Sequence, residues 1–263
     1  MSGGPVAAHE ADPTAGALAV VSHGTLEVEG RLVDASNTTV RCVYKPVAGE
    51  RPLWDFPDGT LAGREVAAYE LSVATGWDLV PPTVLRDGPL GPGACQLWIE
   101  ENDDDAPLVG FVPEAAMPAG WHPIADAEDA DGRPYLLAHA DDARLARMAV
   151  FDAVANNADR KGGHLLLAGD DRLYGVDHGV CFHTDQKLRT VLWGWAGQPL
   201  AAGIPPVLAD LACRLDGALG QALAAHLTPA EVAAVRDRIA VLRASGRFPV
   251  PGGGWPAVPW PPM

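Results

Sequence analysis

"FDAVANNADRKGGHLLL", residues 151–167, starts as an amphipathic helix and then breaks into residues no helix would choose. Upstream, Leu145, Met148, Phe151 and Val154 follow one another at i+3 steps, a buried helical stripe. Downstream, "LLL" (165–167) and "RLYGVD" (172–177) flank "AGDD" and read as a β-hairpin. Between them stand two asparagines, an aspartate, an arginine, a lysine, two glycines and a histidine. Core packing accounts for the flanks and leaves this middle without a purpose. Eighteen residues after Asp159, "GVDHGV" (175–180) puts a second aspartate, Asp177, at the end of a strand. Two aspartates so placed can face one cleft, and phosphoryl transfer needs such a pair. One carboxylate takes or orients the nucleophile's proton, and the other holds the metal that bridges the nucleotide phosphates.

Such a cleft also needs a cation for the phosphates, supplied by a small β-rich lobe. "LEVEGRLVD" (26–34) and "TTVRCVYKP" (38–46) flank "ASN" and read as a hairpin, with Lys45 near the end of its second strand. "LAGREVAAYELSVATG" (61–76) reads as a helix with Leu61, Val66, Tyr69 and Val73 on one face and Gly76 as its stop. It carries Glu65, placed to pair with Lys45, and Glu70 as a rival for that role. "VPPTVLRD" (80–87) and "ACQLWIE" (94–100) read as two further strands. The expected division is a disordered leader over 1–17, an N-lobe over 18–100 and an acidic, solvated connection or insertion over 101–140. A helical C-lobe follows over 141–246, then a Pro/Trp-rich tail over 247–263. The C-lobe's last helix is marked by a capping box at Thr228 and Glu231, with Gly246 as its end. The tail reads as an extended polyproline segment anchored by Trp255 and Trp260.

Composition narrows the partners. The chain has 263 residues and a net charge of −15, so nucleic acid and anionic membrane surfaces are poor partners. Its four cysteines form no CxxC pair, which argues against structural zinc and a disulfide scaffold and for a reducing cytoplasm. The first residues carry no signal-peptide pattern, and no apolar run is long enough to span a bilayer.

Taken together, "DAVANNADR", "VDHG", "VYKP" and "REVAAYELSVATGWDLVPPTV" resemble the phosphatidylinositol 3-/4-kinase-like branch of atypical kinases. The resemblance is to the neighbourhood of the type II phosphatidylinositol 4-kinases and HipA-type kinases, in an actinobacterial family of that branch. "DAVANNADR" follows the D-x4-N-x-D-R pattern, and "VDHG" stands for the Asp-Phe-Gly metal motif. The resemblance implies an α+β, two-lobed atypical protein-kinase-like fold that binds ATP with magnesium, manganese being the alternative. It makes Asp159 the catalytic-loop aspartate, Lys161 the lysine aimed at the γ-phosphate and Asp177 the metal ligand. Lys45 becomes the phosphate-binding lysine and Glu65 its partner. Asn157 joins the catalytic loop, Ser36 and Asn37 fall in the phosphate-covering loop, and Gln96 and Trp98 lie in the adenine hinge.

One position departs from the pattern. Five residues after the catalytic aspartate the family has an asparagine that holds a second metal, and here His164 stands there. Imidazole suits Mn²⁺ or Zn²⁺ better than hard Mg²⁺. His164 is therefore a candidate metal ligand, a phosphate contact, or the mark of a protein that binds nucleotide without catalysis. Other residues keep two readings. Asp152 either buttresses the loop through backbone N–H groups or sits on the helix's exposed face, and His178 and His183 read as structural. Lys187, Arg189, Trp193 and Trp195 form a cationic and aromatic acceptor platform, or the tryptophans pack beneath their loop. The reading is an ATP-dependent kinase with an unknown, soluble acceptor, either a protein or a small molecule. A nucleotide-binding regulator, an AMP transferase and a phosphoinositide kinase are its alternatives.

Overall fold

Alternation of apolar and polar residues in the N-terminal part folds as one antiparallel sheet. The computed structural model describes residues 19–22, 25–31, 39–51, 53–101, 106–169 and 171–263. Strands β1 (Ala19–Ser22), β2 (Thr25–Arg31), β3 (Thr39–Pro46), β4 (Thr83–Gly88) and β5 (Gly91–Leu97) lie in the order β1-β2-β3-β5-β4. The expected hairpin of β2 and β3 is in register from Arg31 opposite Thr39 to Leu26 opposite Tyr44. The leader and the loop with Ser36 and Asn37 lie outside the described residues. Helix α1 (Leu61–Thr75) starts where the Thr60 hydroxyl accepts the Gly63 N–H, and it ends at left-handed Gly76. Ala62, Val66, Ala67, Ala68 and Leu71 are buried while Val73 is half-exposed, so the helix buries more than the stripe read from sequence. It packs on β4 and β5 on one side and on helices of the second lobe on the other.

That second lobe is helical. Helix α2 (Ala143–Ala155) is its centre, capped by Asp142 and stopped by left-handed Asn156. Around it lie α3 (Ile204–Arg214), α4 (Ala218–Ala224) and α5 (Pro229–Ser245), with the short hairpin of β9 (Leu165–Leu167) and β10 (Leu173–Gly175) toward the small lobe. Leu145, Met148, Phe151 and Val154 are all buried in one cluster with Leu71, Leu79 and Leu208. The architecture is the α+β, two-lobed, protein-kinase-like one expected, with a β-rich N-lobe and a mainly helical C-lobe. No helix among the described residues is long and apolar enough to cross a membrane.

Two expectations need correction. The stretch over 101–140, expected as a solvated connection, folds into a three-stranded antiparallel sheet. Its strands are β6 (Val109–Pro113), β7 (Trp121–Glu128) and β8 (Pro134–Ala140), in the order β6-β8-β7. Its acidic residues hide the alternation: Asp126 and Glu128 face water while Ala125 and Ala127 turn inward, a half-wet antiparallel face. Asp129 makes the turn itself, its carboxylate accepting from the N–H groups of Asp131 and Arg133. The second correction is in the tail, where Trp255 is half-buried but Trp260 is 86% exposed and anchors nothing. Prolines on either side of Trp260 hold its indole out from the surface.

The new sheet docks through His139. Its Nδ1–H donates to the Ala140 carbonyl, its Nε2 accepts the Gly194 N–H at 3.1 Å, and its ring lies 4.3 Å from that of Trp195. An imidazole that accepts at Nε2 is neutral, and burial lowers its pKa to about 4. The bond to the Ala140 carbonyl and, less, Asp141 oppose this, while His122 adds to it. The stability gained is therefore full above about pH 6.5 and is lost as pH falls toward about 4. Over that window His139 should cost the fold roughly 3 kcal/mol. Chemical denaturation of the parent and His139→Gln at pH 7 and pH 4.5 checks this. The variant should lose markedly less stability on acidification, and equal losses would remove His139 as the cause.

Candidate active site

Between α2 and β9 the chain carries the polar run that no helix would choose, and its asparagines, its aspartate and its arginine are tied to their surroundings. Asn156, in the left-handed conformation, donates to the carbonyls of His183 and Asp185 and accepts the Lys187 N–H. It thereby holds the segment after Asp177 against the end of α2. Asn157 donates to Asp152 at 3.0 Å and accepts the Asp159 N–H at 3.0 Å. Arg160 is fully buried and meets Asp152 through two parallel bonds of 2.9 and 3.0 Å. Its other N–H groups reach the carbonyls of His164 and Val176 and Nε2 of His178. All five guanidinium donors are used. Gly175 makes room for this, since a Cβ there would sit 2.9 Å from Arg160 Nη2 and 2.8 Å from Met148 Cε. Asp152 is buried and buttresses the loop through side chains, neither of the two sequence readings as they stood.

Arg160 thus ties the segment after α2 to the Asp177 segment, and the lobes meet above it. Lys45 Nζ lies 2.6 Å from Glu65 Oε1 and 2.5 Å from Asp177 Oδ1, although these residues are 20 and 132 positions away in sequence. The second oxygen of Glu65 accepts the His178 N–H at 3.1 Å. Glu65, not Glu70, is therefore the partner of Lys45. Burial works against the Lys45 charge, but Glu65 and Asp177 outweigh it and hold the pKa above its ordinary value. Burial likewise opposes the Asp177 carboxylate, yet Lys45 and His164 hold its pKa below the ordinary one. Asp177 itself is in the left-handed region at φ +58°, a strained backbone for a non-glycine residue. His164 Nε2 lies 3.4 Å from Asp177 Oδ2, and burial keeps its imidazole neutral against the pull of Asp177. His178 is buried and held neutral by burial and by Arg160, so its Nε2 accepts from the guanidinium.

Across the cleft, Asp159 has one oxygen 3.1 Å from Lys161 Nζ and the other 3.3 Å from Arg189 Nη2. The cavity holding Lys45, Glu65, Asp159, Lys161, His164 and Asp177 measures about 410 Å³. Glu50 and Arg51, which sequence reasoning passed over, line it from the loop after β3.

Several expected residues sit elsewhere. Asn157 is fully buried and shapes the loop under Asp159 rather than facing the cleft. Gln96 is also buried, its amide donating to Thr83 directly across the sheet, so it does not reach toward a nucleotide. Trp98 lies under the Arg41 guanidinium and lines a separate cavity of about 300 Å³ with Leu97, Glu100 and Tyr174. The acceptor platform is not formed as expected. Trp195 is buried, and Lys187 is buried against Asp55 with the rings of Trp54, Phe56 and Trp255 around it. Of that group Arg189 is the one that bonds to a cleft residue, Asp159.

A buried arginine-braced loop, two aspartates and a lysine–glutamate pair from the small lobe thus meet at one cleft. No family model matches the chain. It is 49% identical to protein Rv2133c of Mycobacterium tuberculosis over 262 residues, which covers 92% of this chain and 94% of that one. The chain belongs to the Rv2133c family. Among solved structures it is similar to the Golgi casein kinase with Mn/ADP bound, at a TM-score of 0.47 and 14% identity over 87% of this chain and 71% of that one. It is also similar to the Helicobacter pylori proinflammatory kinase CtkA, at 0.41 and 12% identity over 91% and 93%.

The bracing makes a prediction about stability. Arg160→Met should cost about 3–5 kcal/mol, because it leaves the Asp152 carboxylate buried without its counter-ion. The double variant Asp152→Leu with Arg160→Met should recover part of that loss. Urea denaturation of the three proteins measures it, and a single variant within 1 kcal/mol or so of the parent would show that the pair does not brace the loop.

Proposed function

We propose that the protein is an ATP-dependent phosphotransferase acting on a hydroxyl of a soluble acceptor. The observation that carries this reading is Lys45, bonded at once to Glu65 of the small lobe and to Asp177 of the large one. An ammonium so held marks where phosphates cross between lobes. In this reading Lys45 meets the nucleotide phosphates while Glu65 keeps it in place. Asp177, with His164 beside it, holds a divalent cation. The residues that would hold such an ion are Asp177, half-exposed toward the cleft, and His164, whose Nε2 lies 3.4 Å from Asp177 Oδ2. An ion that takes one or two side chains and completes its shell with water and phosphate suits so sparse a donor set. When bound, it neutralises charge developing on the phosphates.

Asp159 faces the acceptor and takes or orients its proton, and Lys161 and Arg189 bring positive charge to the transferred group. Within kinase-like folds we assign the chain to the neighbourhood of the type II phosphatidylinositol 4-kinases and HipA-type kinases. The support is the D-x4-N-x-D-R pattern, whose Asp152, Asn157 and Arg160 act here as one hydrogen-bonded unit. A second reading, nucleotide binding without transfer, is favoured by His164 at the position of the second-metal asparagine.

Incubation with α- and γ-labelled ATP in parallel separates the readings. Transfer from γ alone is expected. Label from α would mean AMP transfer, and saturable binding with no transfer would mean a regulator. Asp159→Asn should bind ATP nearly as well as the parent and lose roughly two to four orders of magnitude in rate. Lys45→Ala should blunt the rise in melting temperature that ATP and metal produce. With His164 as a ligand, Mn²⁺ should serve better than Mg²⁺, and His164→Asn should shift that preference toward Mg²⁺. An ATP response unchanged in Lys45→Ala would end the phosphotransferase reading.

A further inference from the structure

The proline-rich tail ends at the catalytic loop. Residues 157–160 lie beside 189–191 in a strand-like pairing: Asn157 accepts from the Arg189 N–H, and Arg160 exchanges bonds with Arg189 and Val191. The next N–H along that second segment, Thr190, turns the other way and donates to the Ala257 carbonyl at 3.0 Å. Trp193 Nε1 donates to the same carbonyl at 2.8 Å. Five residues on, the Pro262 carbonyl accepts the Gly162 N–H at 2.8 Å. The tail therefore forms a third layer on the catalytic loop and the segment that follows Asp177, and its far end returns to the loop itself. At that point the approach is close. A Cβ on Gly162 would come 2.5 Å from Met263 Sδ, so a larger residue there would make that flexible side chain shift.

The tail also touches two cations, one of which pairs with Asp159. The Trp255 ring is 5.0 Å from Lys187 Nζ and 5.8 Å from the Arg189 guanidinium, which reaches Asp159. A cation against an indole face is held electrostatically as well as by packing. Its composition suits a strap. Pro256, Pro259, Pro261 and Pro262 lack N–H groups that would need partners, and their fixed φ leaves little freedom to lose on ordering. Two of its carbonyls, those of Ala257 and Pro262, accept bonds from the loop and from the segment after Asp177.

We propose that residues 255–263 are a positioning element of the active site, with Trp255 setting Arg189 and Pro262 setting Lys161–Gly162. The kinetic part of this proposal rests on the phosphotransferase reading, and its structural part does not. Three chains decide it: the parent, a chain ending at Pro251, and the shortened chain with a synthetic peptide of residues 252–263 added in trans. Hydrogen exchange across 158–164 should quicken at least tenfold on shortening and slow again with the peptide, while exchange in α2 stays slow. ATP affinity should change less than threefold while turnover falls tenfold or more, and the peptide should restore it. Trp255→Ala should lower turnover in the same direction, and Trp260→Ala, on the exposed indole of the same tail, should behave as the parent. Unchanged exchange at 158–164 in the shortened chain overturns the proposal, and so does a rise in turnover, which would make the tail an inhibitory cover. Should the parent itself transfer no phosphate, the phosphotransferase reading fails, and the exchange experiment still decides whether the strap sets the loop.

Discussion

Buried away from water, the Arg160 guanidinium and the Asp152 carboxylate face each other through two parallel hydrogen bonds. Bringing both charges out of water is costly, and their attraction offsets that only when every remaining donor is also satisfied. The three left over go to His164, Val176 and His178. Those acceptors belong to the two segments that carry the cleft's other groups. A geometry that satisfies the arginine therefore also brings His164 and Asp177 to one side of the cleft. On the same carboxylate, Asn157 hangs the backbone of Asp159. One buried charge thus organises both aspartates, and Glu65 closes the arrangement from the other lobe by accepting the His178 N–H.

What sequence made legible follows from how local each constraint is. Asp152, Asn157, Asp159 and Arg160 fall within nine residues, so their pattern could be read as one motif before any contact was known. Lys45 and Glu65 were legible because a strand end followed by a helix limits where their side chains can meet. The sheet over 109–140 was hidden because acidic residues on its wet face dominate the composition of that stretch. Gln96 misled because the same strand offers two faces and only register decides between them; opposite Thr83, its amide bonds along the sheet. Lys187 reads as a surface cation, yet Asp55 and three aromatic rings, two of them from a loop more than 130 residues away, draw it inside. No local rule connects those positions. The tail's contacts were out of reach for the same reason, since they join it to positions roughly 60 to 100 residues earlier, several through backbone carbonyls.

Glu231 has a double position that bears on how the molecule comes apart. One of its oxygens closes the capping box of α5 by accepting the Thr228 N–H, and the other accepts from buried Arg64 of α1. Arg64 in turn donates to the Cys181 carbonyl, four residues beyond Asp177. The start of the last helix, the helix that carries Glu65 and the segment after Asp177 therefore share one carboxylate and one guanidinium. The apolar side agrees, since Ala67 and Leu71 of α1 belong to the same cluster as Val235 and Ile239 of α5. For this chain the lobes therefore share an ion pair and part of their core, so opening either lobe strips partners from the other and from the cleft between them.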